Sequence, residues 1–130
     1  MASLLPYPAF IPDFTDAENT TMAVQPSPAR ELVRATVPKM IELSETVIYG
    51  DIWERPGLSK RDRSLIVVAS LVATYRPEQL RSHLARALDN GVTKEEIGEI
   101  ITHLAFYSGW PASMTAARIA TEVFEEREKA

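Results

Sequence analysis

Residues 65–71, Leu-Ile-Val-Val-Ala-Ser-Leu, are apolar at every position but Ser70. A run of that kind must be buried, and it fits either a helix through a core or a strand covered on both faces. A strand needs a second strand to satisfy its backbone N–H and C=O groups, and no other segment offers one. The flanks are patterned at helical spacing. The run is therefore assigned to a helix and the chain to an all-α fold.

Local signals place the other helices. Ser27 is an N-cap with Pro28 at the first helical position, and Pro38 is expected to kink or split the segment that follows. Leu43, Val47 and Ile48 form an apolar face there before Gly50 ends it. Ser59 opens the helix that carries the apolar run. A fourth helix starts near Pro77 and stops at Asn90-Gly91, and Thr93 with Glu96 makes a capping box for a fifth that extends to about Ser108. Gly109-Trp110-Pro111 interrupts, and a sixth helix follows from about Pro111. The expectation is a compact six-helix bundle over residues 28–130. Residues 1–27, with Pro6, Pro8, Pro12 and Pro26 among scattered aromatics, read as an extended arm. Such an arm is a loose terminus, lies on its own domain, or crosses to a neighbouring subunit.

With 130 residues the chain suits one domain. A net charge of −4 and the lack of any polybasic run argue against nucleic-acid and membrane partners. The opening segment has no basic stretch and is broken by prolines, so a signal peptide is not expected and a cytoplasmic location is. The sequence contains no cysteine, which removes disulfides, thiolate catalysis and thiolate metal sites together.

Candidate chemistry lies where two helices leave the core. On the fourth helix Leu80, Leu84 and Leu88 define the buried face, and Arg76, Gln79 and His83 fall between that face and solvent. On the fifth, Ile97, Ile101 and Leu104 point inward, with His103 and Tyr107 four apart at the border. A half-buried histidine bonded to a backbone carbonyl is the ordinary explanation of either ring, and Arg76 could be a plain surface cation. Glu99 with the two histidines would offer a metal the right atoms but not a recognised spacing.

Residues 58–124, through the blocks RDRSL, RPEQLRSHLARALDNGVTKEE and THLAFYSGWPA, resemble the carboxymuconolactone decarboxylase family, which shares the AhpD-like helical fold. AhpD-like relatives carry C-x-x-C-x-x-x-H with an earlier glutamate. Aligned on His83, the two cysteine positions are Arg76 and Gln79 and the glutamate falls at or near Ser64, so the thiol relay is absent. The resemblance is then to the cysteine-free decarboxylase branch. It implies a cofactor-independent lyase of aromatic catabolism acting on a carboxylated unsaturated lactone, with no metal and no organic cofactor, in a homo-oligomer, trimer or hexamer. His83, Arg76 and His103 are the expected catalytic residues, with Gln79, Tyr107 and Trp110 binding a small carboxylate or lactone. The competing expectation is a non-catalytic oligomerisation or ligand-binding module on the same fold.

Overall fold

In the structure, a computed structural model that describes residues 27–130, six α-helices follow in chain order, with one π-helical and one 3-10 turn, and no strand among the described residues. The expected arm over 1–27 lies outside the described residues except for Ser27. The described chain divides between Gly50 and Asp51 into two compact units.

The first unit holds α1 (Pro28–Val33) and α2 (Pro38–Leu43). Ser27 caps α1 as expected, its Oγ accepting from Arg30 N at 3.3 Å. Pro38 splits the segment: it starts α2 at a position where its missing N–H costs nothing, and Val37 before it sits outside the helical region. After α2 the helix widens into a π-turn over Ser44–Ile48. Two hydroxyls take part there, Ser44 Oγ donating to Ile41 O at 2.7 Å and Thr46 Oγ1 to Glu42 O at 2.9 Å, while Tyr49 N reaches back five residues to Ser44 O at 3.0 Å. Arg34 ties α1 to the π-turn by pairing with both Glu31 and Glu45.

The second unit opens with a 3-10 turn, Ile52–Glu54, that buries Trp53. Then come α3 (Lys60–Ala73), α4 (Pro77–Asp89), α5 (Lys94–Ser108) and α6 (Trp110–Glu128). The capping predictions hold in detail. Ser59 Oγ accepts from Asp62 N at 3.0 Å, and Thr93 and Glu96 exchange both bonds of a capping box at 3.1 Å each. The helices pack so that α3 and α6 each contact both α4 and α5, whereas α4 and α5 share no extensive contact. They therefore stand at opposite corners of a four-helix arrangement.

The core comes from one face of each helix. Val68 and Val72 of α3, Leu80 and Leu84 of α4, Ile97 and Ile101 of α5, and Ile119 and Val123 of α6 are buried together. Each such side chain withdrawn from water contributes roughly 1.5–3 kcal/mol. One expectation needs correcting. The apolar run of α3 is not sunk on all sides, since Ile66 is exposed while the polar Ser64 is buried. Ser64 can be buried because Asn90 Nδ2 donates to its Oγ at 3.0 Å. The other buried hydroxyl, Ser113 of α6, donates to Ile101 O of α5 at 2.9 Å. Charged pairs stitch the outer faces: Arg81 of α4 to Glu122 and Glu126 of α6, Arg127 to Asp89, and Arg61 of α3 to Glu96 of α5. Such exposed pairs contribute little individually, about 0–1 kcal/mol, and mainly keep the register of the helices.

Candidate active site on α4

His83, Arg86 and Asn90 stand at i, i+3 and i+7 on α4, the spacing that stacks side chains on one side of a helix. Each reaches a different partner. Asn90 bonds Ser64 of α3, as described. Arg86 lays its guanidinium over the Trp53 ring, 5.9 Å from its centroid. His83 is half-buried, as the helical wheel suggested. Its pKa is not near neutral, however: burial, helped by the positive charge of Arg86, pushes it down to about 4. Both causes disfavour the imidazolium, because a buried cation loses hydration and a like charge repels it. At neutral pH His83 is an uncharged ring beside a fixed cation.

Arg76 and Gln79 are exposed at the start of α4. Arg76 lies seven residues before His83, about 10 Å along the axis and on nearly the same side. It lines a shallow depression whose walls are Leu71 and Val72 of α3, Leu80 of α4, and Ala112 and Thr115 of α6, with Tyr75 beside it. His83 does not line that depression.

His103 is exposed, not at the edge of the core, and stacks on Tyr107 with ring centroids 4.8 Å apart. The next pair outward is Phe106 and Trp110, 6.1 Å apart and edge to face. Because α5 stands across the bundle from α4, one chain does not bring His103 and Tyr107 of α5 to His83. Among the described residues no three His, Asp or Glu side chains gather in a way that could hold a metal ion, so Glu99 and the two histidines are not such a set.

Sequence reasoning missed four residues here. Arg86 and Asn90 were readable in principle from their i+3 and i+7 spacing to His83. Trp53, between Gly50 and the Ser59 cap, and Tyr75, in a turn, gave no pattern.

An all-helical domain of this arrangement, with a neutral histidine and flanking arginines on one helix and no cysteine, defines a thiol-free helical bundle. The family comparison gives it a name. The chain belongs to the carboxymuconolactone decarboxylase family, whose model matches residues 38–122. It is 46% identical over 78 residues to a 4-carboxymuconolactone decarboxylase of Acinetobacter baylyi, an alignment covering 60% of this chain and 58% of that protein. It is 32% identical over 85 residues to a nitrosuccinic acid decarboxylase of Metarhizium robertsii, covering 65% and 59%. An uncharacterised 15.0 kDa protein of Paracoccus denitrificans is 31% identical over 104 residues, covering 78% and 75%. The chain thus spans somewhat under three-fifths of the length of the two named decarboxylases.

Proposed function

We propose that the protein is a decarboxylase of a small carboxylated unsaturated lactone resembling 4-carboxymuconolactone, working without metal or organic cofactor. The observation that carries this reading is the neutral, half-buried His83 one turn from Arg86 on α4, in a chain similar to two proteins named as decarboxylases.

The chemistry needs little more. The C–C bond to the departing carboxylate breaks, carbon dioxide leaves, and the bond's electron pair spreads into the conjugated lactone carbonyl as a dienolate. One proton then adds to carbon to give the enol-lactone. The substrate's own conjugation is the electron sink, so no cofactor has to supply one. Two tasks remain for the protein, stabilising charge on the lactone oxygen and handling one proton. Arg86 supplies a fixed positive charge beside His83. A bound anion offsets that charge and lifts the His83 pKa, so proton uptake by the ring accompanies substrate binding.

Arg76 holds a carboxylate that stays. Clamping the one that leaves would stabilise the ground state more than the transition state and slow the reaction. The substrates named for both relatives fit this division, since 4-carboxymuconolactone and nitrosuccinic acid each carry two carboxyl groups. In this reading Gln79, exposed on the same helix, donates to the bound molecule.

His103 and Tyr107 of α5 contribute only if a second copy brings them to the α4 site, and Trp110, at the start of α6, is the third residue of this group in the reading. We therefore include a homo-oligomer, a trimer or hexamer, in the proposal. A cytoplasmic location is part of the same reading, and no helix among the described residues is long and apolar enough to cross a membrane.

The test is direct. Carbon dioxide release and loss of ultraviolet absorbance are followed with 4-carboxymuconolactone for the wild type and His83→Gln. The expected result is turnover by the wild type and a fall of roughly 10²-fold or more in a folded variant. A wild type that releases no carbon dioxide overturns the reaction, and a variant as fast as wild type removes His83 from it.

A further inference from the structure

The ends of α3 and α4 close with the same hydrogen-bonded turn but not with the same residue. After α4, Val92 N bonds Ala87 O at 2.9 Å and Gly91 N bonds Leu88 O at 3.1 Å, with Gly91 at φ +95°. After α3, Arg76 N bonds Leu71 O at 2.9 Å and Tyr75 N bonds Val72 O at 3.2 Å. The residue in the left-handed position there is Tyr75, at φ +55°. Glycine belongs at that position because a Cβ is disfavoured. Among the described residues Tyr75 is the only non-glycine with positive φ.

A bulky residue held against its backbone preference is not there for the stability of the turn. Its ring is not recruited into the core either, since Tyr75 remains 57% exposed. Tyr75 instead lines the shallow depression that Arg76 also lines, with Leu71, Val72 and Leu80 among its walls. The depression is lined almost wholly by apolar surface, with two exposed residues, Tyr75 and Arg76, among those that form it. That combination suits a small organic anion, its carboxylate on the arginine and its carbon body against the ring and walls.

We propose that Tyr75 and Arg76 form the seat for the carboxylate-bearing arm that the substrate keeps, the Tyr75 ring being a binding wall retained at the expense of a strained turn. This rests on the decarboxylase reading for the identity of the substrate, but the seat itself can be tested without turnover. Muconolactone, the same lactone lacking the carboxyl group that leaves, serves as the probe.

Muconolactone binding to the full-length protein is measured by calorimetry for wild type, Tyr75→Gly and Tyr75→Phe, alongside thermal unfolding and light scattering. Tyr75→Gly relieves the turn and removes the wall, so its Tm should rise by roughly 3–6 °C while its Kd for muconolactone rises about tenfold. Tyr75→Phe keeps the ring and should bind within about threefold of wild type. With 4-carboxymuconolactone the glycine variant should show the loss in KM, with kcat changed less than twofold.

Several results would overturn the seat. They are a wild type that binds no muconolactone, a Tyr75→Gly protein with unchanged affinity or a lowered Tm, a Tyr75→Phe protein as weak as the glycine variant, or a change of subunit mass with affinity intact. A wild type that binds muconolactone but releases no carbon dioxide from 4-carboxymuconolactone overturns the reaction and leaves the seat standing.

Discussion

Asn90 donates to Ser64 across the α3–α4 contact at 3.0 Å, and the serine it reaches is almost fully buried. The bond joins the C-cap of α4 to the first half of α3. Removing one partner strands the other. Ser64→Ala should cost about 1–2 kcal/mol in denaturant unfolding, as should Asn90→Ala. The double variant should cost clearly less than the sum. Strict additivity would show that the two side chains do not act as a pair.

The folded protein holds His83 near 4 against an ordinary value of 6.5. Above pH 6.5 the ring is neutral in both folded and unfolded chains and adds no pH dependence. As pH falls through 6.5 the unfolded chain takes up a proton that the folded one refuses, so stability drops until about pH 4, below which both forms are protonated. The expected slope from this group is at most roughly 1 kcal/mol per pH unit over that window. The chain has two histidines, so NMR titration of the ring protons resolves them readily. Arg86→Gln should raise the His83 value but leave it below 6.5, because burial is the larger cause. A titration unmoved by the substitution would mean that the arginine charge is not felt at the ring.

Phe106, Tyr107 and Trp110 are 78%, 76% and 61% exposed and adjoin one another at the α5–α6 corner. Three large rings left in water make a costly surface for a small protein. Light scattering should give at least a trimer, and replacing Phe106 and Trp110 together by glutamate should reduce the mass toward the 14.5 kDa of one chain. A wild type that is already a monodisperse monomer at micromolar concentration would contradict this, and with it any role for His103 beside His83.

Thiol-dependent peroxide consumption should be absent from a metal-free preparation, since no side chain can pass through a sulfenate or disulfide. Activity proportional to protein would contradict the expected absence of a thiol relay.

Most helix boundaries were legible because they depend on local chemistry. Ser27, Ser59 and the Thr93–Glu96 box act within one turn of themselves, and Pro38 acts on its own backbone. The half-burial of His83 was legible too, from the phase of Leu80 and Leu84. Its depressed pKa was not, because the seclusion of the ring depends on how α4 is packed, which no spacing reveals. His103 lies about 200° round α5 from Ile101, so periodicity itself puts it in solvent, against the border position expected for it. Periodicity gives a direction from the helix axis and cannot say whether a neighbour stands there. Tyr75 was invisible for a different reason: a tyrosine in a left-handed position contradicts its own propensity, so sequence rules point away from it.

The absence of extensive contact between α4 and α5 has a bearing on how the protein can change. Residues that share no partners respond to substitution independently, and their effects add. Within one chain, surface positions of α4 can therefore drift in sequence without disturbing surface positions of α5, and the reverse, whereas their core positions stay coupled through α3 and α6. Alterations to the lining around α4 and alterations to the outer surface of α5 form two separate sets of variation, which an experimenter can explore one at a time and then combine.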